Sequence, residues 1–404
     1  MRETFPVLLG TLVSQTVLNI AALAMLGVII VSTTDLFHSS TQKLFAFSLV
    51  LPGFRDFADG LRGASDLLVG AALGAYGLTM AVAQLGMGML SDRLGRKPVL
   101  LLGTTLFVAG SIASALSHSI WALLAARLLQ GLGGVSSVAL AAVGETVPAE
   151  RRTTAMALIG IPAGLGFFLG FALGPYAASL AGFRALFWVS GALGVLAILP
   201  LLGQRLAPAQ KAEDLRRAIG PPVLALCAGG FAINFAMSMV AFFLPERPIG
   251  HGVLLAVLLG ALVLMGGASR AIDRKGAVWQ PIVLSLAVLG FGAVAFLVND
   301  GTMLWVGALL FFTGHAILSA TLPSQVSRLA GRSGGRGHGV QLVVAYLGSA
   351  AGGVAAGATA SSTGVAAFVL IAVALAAAGL AAVWLRGAAP LPQPSSEAPG
   401  GTAP

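Results

Sequence analysis

The stretch GMLSDRLGRKP, residues 88–98, sets one acid, Asp92, beside three bases, Arg93, Arg96 and Lys97, in a chain that is only 9% charged. Asp92 closes an apolar run, so its charge opposes the negative end of the helix that run would form. The position becomes favourable when Arg96, four residues on, pairs with it, or when the positive N-terminus of another helix approaches. Gly88 is expected to admit a closely packed neighbour, and Gly95 with Pro98 to make the tight turn that restarts the chain. Such a group makes and breaks no covalent bond. An acid whose partners depend on where the helices lie acts as a latch.

Other residues with chemical potential lie inside apolar runs. Arg127, in LLAARLLQGLGG, is a guanidinium at a depth where it needs partners, or must snorkel its head toward water. His315, in FFTGHAILSA, is a proton carrier near neutral pH or a neutral, hydrogen-bonded packing element. Asp56 and Asp59, in LPGFRDFADGLRGASD, are the best-placed acids for proton coupling in the first half of the chain. Gln15, Asn19, Tyr76, Gln84, Asn234 and Tyr346 would line a substrate path or bond a neighbouring helix. The series Gly160, Gly164, Gly166, Gly170 and Gly174 explains itself as close helix packing, and Pro175 adds an expected kink.

The elements that position these groups follow from composition. The chain has 404 residues, 57% of them hydrophobic, with mean hydropathy +0.94. A soluble domain carries about a quarter charged residues, so a bilayer is the expected solvent. A helix needs roughly 20 apolar residues to cross, and the runs here are long and continuous rather than alternating. The expected class is an all-α polytopic membrane protein. Spans are predicted near 5–31, 68–91, 98–117, 120–143, 154–181 and 185–203, then near 219–244, 252–269, 277–298, 302–327, 338–360 and 364–385.

Residues 5–31 read as a retained span rather than a signal peptide. The run from Leu44 to Phe54 is too short to cross and follows Asp35, His38 and Lys43, so 44–61 is read as an outer or interfacial segment. Of the 23 Lys and Arg, 17 then fall on the side of the N-terminus, which predicts both termini in the cytoplasm of a multi-pass cell membrane. SDRLGRKPVL is echoed by IDRKGAVWQPIV, pairing Asp92 with Asp273 and Gly95 with Gly276. Duplicated halves suit a carrier that rocks about a midplane site. The expected division is a six-helix half at 1–203, a linker at 204–218, a second half at 219–386 and a disordered tail at 387–404.

GMLSDRLGRKPVLLLG resembles the loop signature of the major facilitator superfamily at Gly88, Leu90, Asp92, Arg93, Gly95, Arg96 and Lys97. Arg127, Gln130 and Gly131 are similar to the family's fourth-helix signature. GIPAGLGFFLGFALGPYAASL matches the antiporter pattern of the fifth helix in part: Gly170, Gly174 and Pro175 fit, whereas Ala178 and Ser179 replace glycines. The resemblance implies two pseudo-symmetric six-helix halves, and a charge relay of Asp92, the loop arginine and Glu145 that acts through the eleventh helix, near Arg336 and His338. It also implies that Arg127 holds substrate or modulates a proton-carrying acid.

A secondary transporter is therefore expected, exporting small drug-like or metabolite compounds against inward proton flow. Uptake symport of a metabolite, and a non-transporting membrane partner or sensor, remain the alternatives. The expected partners are substrate, protons and lipid, with the chain a monomer. The basic loops are too short and scattered for nucleic acid. No phosphate-binding Gly-rich loop ending in Lys-Ser/Thr occurs, and no Cys/His cluster for a metal, so an enzyme, a cofactor and a metal site are not expected. The single Cys227 forms no intramolecular disulfide.

Overall fold

A backbone in hydrocarbon must satisfy its own N–H and C=O groups, and runs rich in Leu, Ala and Gly do so as helices. The computed structural model describes residues 36–139, 142, 152–203, 221–247, 251–275, 279–298, 301–330, 334–360, 372–373, 376–377 and 380. Among these, the helices are α1 (Leu36–Val50), α2 (Phe54–Asp59), α3 (Asp66–Leu94), α4 (Arg96–Leu116), α5 (Ile120–Leu132), α6 (Arg152–Ala181), α7 (Phe183–Gly203), α8 (Pro221–Phe243), α9 (His251–Lys275), α10 (Trp279–Val298), α11 (Thr302–Ala330) and α12 (Gly334–Ala358). A 3-10 turn, Leu244–Glu246, follows α8. Seven helices among the described residues are long and apolar enough to cross a membrane. The predicted spans 5–31 and most of 364–385, with Gln15, Asn19, the linker, the tail and Glu145, lie outside the described residues.

The segment read as interfacial is instead part of the bundle. α1 packs against α6 and α7, and Ala46, Leu49 and Val50 are buried. The glycine series is what admits it: a β-carbon on Gly170 would stand 2.2 Å from Ser48 Oγ, and one on Gly174 would stand 2.2 Å from the Leu49 carbonyl oxygen. Hydropathy missed this helix because its surroundings are protein rather than lipid. Ser48 is buried with its hydroxyl donated to Phe45 O at 2.9 Å, and Ser190 of α7 donates to Ala46 O at 2.8 Å. α6 stays helical through Pro175. Gly88, expected at a tight contact, has room: the nearest atom to an added β-carbon is Ser137 Oγ, 4.0 Å away.

The halves join along α3 and α12. Gly70, Gly74 and Gly77 face Gly353, Gly357, Ala350 and Tyr346, with an added β-carbon at Gly70 only 2.3 Å from Gly353 O. All three glycines fall in the half of α3 nearer Asp66, so the seam is tight at the Asp66 end. Gly348 and Gly352, on another face of α12, pack against Phe231 and Phe235 of α8. One helix thus holds its own half with one face and the opposite half with another.

Candidate functional site

At the loop end of α3, Gly95 adopts φ +91°, a conformation that suits glycine, and breaks the chain between α3 and α4. The turn sets Arg96 one helical turn beyond Asp92, and Arg96 Nη1 donates to Asp92 Oδ1 at 2.6 Å. The same nitrogen contacts Ser91 Oγ. Arg96 is buried while Asp92 stays 36% exposed, so the pair has one screened partner. Lys97 Nζ donates to Leu202 O at 2.6 Å and so satisfies a carbonyl at the C-terminus of α7. Arg93 points to solvent. The loop thus ties α3, α4 and α7 together through charge-assisted bonds.

A second cluster surrounds Arg127, which is 0% exposed. The i,i+3 spacing in RLLQ puts Arg127 and Gln130 on one face of α5. Arg127 Nη1 donates to Gln130 Oε1, and Gln130 Nε2 donates to Ser111 Oγ at 2.8 Å. Gly131 lets α3 approach, since a β-carbon there would meet Tyr76 O at 2.3 Å. The Tyr76 ring consequently lies 4.8 Å from the guanidinium carbon, with Phe54 at 5.4 Å and Phe47 at 5.6 Å. Phe47 and Tyr76 stack on each other at 4.2 Å. This is a cation held by ring faces and one amide. Nε and Nη2 have no hydrogen-bond partner among the described residues, and no carboxylate neutralises the charge there.

The remaining candidates separate. Gln84 accepts from Ser137 N at 2.8 Å, and Ser137 Oγ donates to Gln84 O at 2.9 Å, so Gln84 ties α3 to the helix that resumes after α5. Asn234 donates to Gly230 O of its own helix at 2.9 Å. His315 stacks 5.8 Å from Phe167 of α6, meets Phe168 edge-on at 5.9 Å, and lies 3.3 Å from Ser319 Oγ. Its box is aromatic and spans both halves.

Asp56 and Asp59 sit on α2 at the Asp66 end, far in sequence from any other charged cluster. Burial pushes both carboxyls above the usual carboxylate range, against the lowering pull of Arg55. Asp66 and Glu246, absent from the sequence-based candidates, complete this cluster around Arg55. A cavity of about 480 Å³ opens beside it, lined from one half by Asp56, Phe57, Pro175 and Phe183 and from the other by Leu244, Arg247 and Leu254.

The family described as Major Facilitator Superfamily matches residues 7–353. The chain is 31% identical over 377 residues to the "Inner membrane transport protein YajR" of Escherichia coli K12, covering 87% of this chain and 81% of that protein. It is 31% identical over 176 residues to the "Putative multidrug resistance protein MdtD" of Escherichia coli O81, covering 42% of this chain and 37% of that one. A solved structure titled "Partially occluded inward open conformation of the xylose transporter XylE from E. coli" superposes with TM-score 0.71 at 14% identity, covering 87% of this chain and 97% of that one. That last likeness speaks to the fold alone.

Proposed function

The chain belongs to the major facilitator superfamily of membrane transporters, and we propose that it exports small amphipathic compounds by alternating access, driven by inward proton flow. The observation that carries the reading is the asymmetric seam. The halves touch backbone to backbone through Gly70, Gly74 and Gly353 at one end, where a small rocking motion would part them. The charged loop at residues 92–97 lies at the other end of α3 and is positioned to latch the reverse state. In this reading both termini are cytoplasmic, the Asp66 end faces outward, Asp92 with Arg96 and Glu145 forms the relay, and the carrier works as a monomer. With α1 (Leu36–Val50) as a helix of the bundle, the basic loop between α3 and α4 keeps the cytoplasmic side expected of it, so the charge argument is preserved.

Export is supported by the partial fifth-helix pattern ending at Gly174 and Pro175 and by the likeness to a putative multidrug resistance protein over part of the chain. The acids of the cycle are Asp56 and Asp59, which belong to the end that would open outward. Arg127 is the positive group that substrate or proton passes, and Nε and Nη2, unbonded among the described residues, favour a neutral or anionic ligand over a cation. His315 is a packing link between α6 and α11. The test is flux of candidate compounds in proteoliposomes under an imposed pH gradient. Export against proton entry supports the antiporter, co-directional uptake would establish the symporter, and no flux of any compound would favour a non-transporting role.

A further inference from the structure

At the Asp66 end, one side chain touches both halves. Arg55, on the short helix α2, is 11% exposed and lies between three carboxylates. Its Nε is 3.6 Å from Asp59 Oδ2 on the same helix, and its Nη2 is 3.1 Å from Asp66 Oδ1 at the start of α3. Its Nη1 reaches Glu246 Oε1, on the 3-10 turn after α8 in the opposite half. The guanidinium carbon also lies 4.5 Å from the Phe242 ring and 5.6 Å from the Phe243 ring, both at the C-terminal end of α8. The planar fork of an arginine is what makes simultaneous engagement of separate acids possible, which a lysine ammonium on one flexible stem does not reproduce.

From this geometry we infer that Arg55 is the latch that keeps the Asp66 end of the carrier shut, by tying α2 and α3 of the first half to Glu246 of the second. Its contacts within the first half, to Asp59 and Asp66, hold the guanidinium in place whether the end is open or shut. The contacts to Glu246 and the two phenylalanine rings exist only when the halves are together. Parting the halves therefore removes one ion pair and two ring contacts at once, and leaves Glu246 without its cation. The ion pair is partly screened, because Glu246 is 48% exposed, so the latch biases the equilibrium rather than locking it. It complements the glycine seam of α3 and α12, which supplies close packing but no charge. The inference goes beyond the transport reading and depends only on two halves that can separate; it needs neither a substrate nor a proton gradient.

A buried reporter reads the state of this end. Ser238 of α8 is 5% exposed, and its hydroxyl lies 2.8 Å from that of Ser349. Ser349 in turn faces Gly77 across the seam, its Cβ 3.1 Å from where a Gly77 β-carbon would stand. Ser238→Cys in a Cys227→Ser background gives one thiol, and a membrane-impermeant maleimide added on the side of the Asp66 end reaches it when that end opens. In reconstituted full-length protein, Arg55→Ala and, separately, Glu246→Gln are expected to raise the alkylation rate about threefold or more, with Arg55→Lys intermediate. Glu246→Gln keeps shape and position, so its result stands even where Arg55→Ala lowers yield. Alkylation that is unchanged in Glu246→Gln and in correctly inserted Arg55→Ala would overturn the latch. Loss of transport with unchanged alkylation would do the same while leaving the transport reading intact.

Discussion

Gly353 lies where α12 crosses α3, and replacing it with alanine tests how the halves meet. The added β-carbon would stand 2.7 Å from both Gly70 O and Gly74 N and 2.9 Å from Gly74 Cα. These are backbone atoms and cannot rotate away, so the seam must widen by roughly an ångström to reach ordinary contact of about 3.5–4.0 Å. Overpacking of this kind costs about 1–3 kcal/mol, equivalent to roughly a five- to 150-fold shift in an equilibrium. Rocking the halves apart relieves the clash without unfolding either, so the shift is expected in conformation. Alkylation of Ser238→Cys should accelerate accordingly. Two controls isolate the cause. Gly86→Ala, on the same helix α3, meets nothing within 4 Å and should leave the rate unchanged. Gly170→Ala clashes inside one half, 2.2 Å from Ser48 Oγ and 2.4 Å from Phe45 O, where rocking gives no relief, so it should lower yield and Tm instead. If Gly353→Ala and Gly86→Ala are alkylated equally, the glycine seam is not what separates the two states.

Asp92→Asn should leave membrane insertion intact and cost about 1 kcal/mol of stability or less, because Asp92 is 36% exposed, while transport per inserted molecule falls. Wild-type flux would remove the loop latch. Arg127→Met should keep or raise Tm, since it replaces a buried cation, two of whose nitrogens are unbonded among the described residues, by an apolar chain, and it should abolish transport; a large fall in Tm would make Arg127 structural. Asp56 and Asp59 have raised carboxyl pKa values while the Asp66 end is shut, so their neutral forms favour closure. That contribution is complete below the usual carboxylate value of 3.8 and is lost as pH rises through the raised values. The groups facing them are Arg55 on α2, Asp66 on α3, and Glu246, with Arg247 on the shared cavity. In a Glu246→Gln background, which removes the ion pair that acid would itself break, alkylation of Ser238→Cys, normalised to unfolded protein at each pH, should therefore slow on acidification, and Asp56→Asn with Asp59→Asn should flatten the profile. Faster alkylation in acid would reverse the assignment.

What was legible in the sequence was local. Asp92, Gly95 and Arg96 lie within one turn, so their pairing and the break between α3 and α4 follow from spacing, and Arg127 with Gln130 shares a face by the same rule. The ring cage was not legible, because Phe47, Phe54 and Tyr76 come from three separate elements. Nor was the contact of Arg55 with Glu246, 191 residues apart, for which a single sequence carries no signal. The segment 44–61 was read as interfacial for a physical reason. Hydropathy measures preference for lipid, whereas α1 is buried against the glycines of α6, where Ser48 is as well placed as a leucine. Glu145, the third member of the expected relay, lies outside the described residues.

The central claim is that the two halves expose one site to either side in turn. Counterflow measures that directly: proteoliposomes are loaded with unlabelled compound, then diluted into a trace of the same compound carrying a label, with no pH gradient. A carrier whose seam opens and shuts as described should concentrate label inside transiently above its equilibrium level, because each return of the empty site is replaced by exchange. Label that rises only to equilibrium, at a rate independent of what is loaded, would contradict alternating access in this chain.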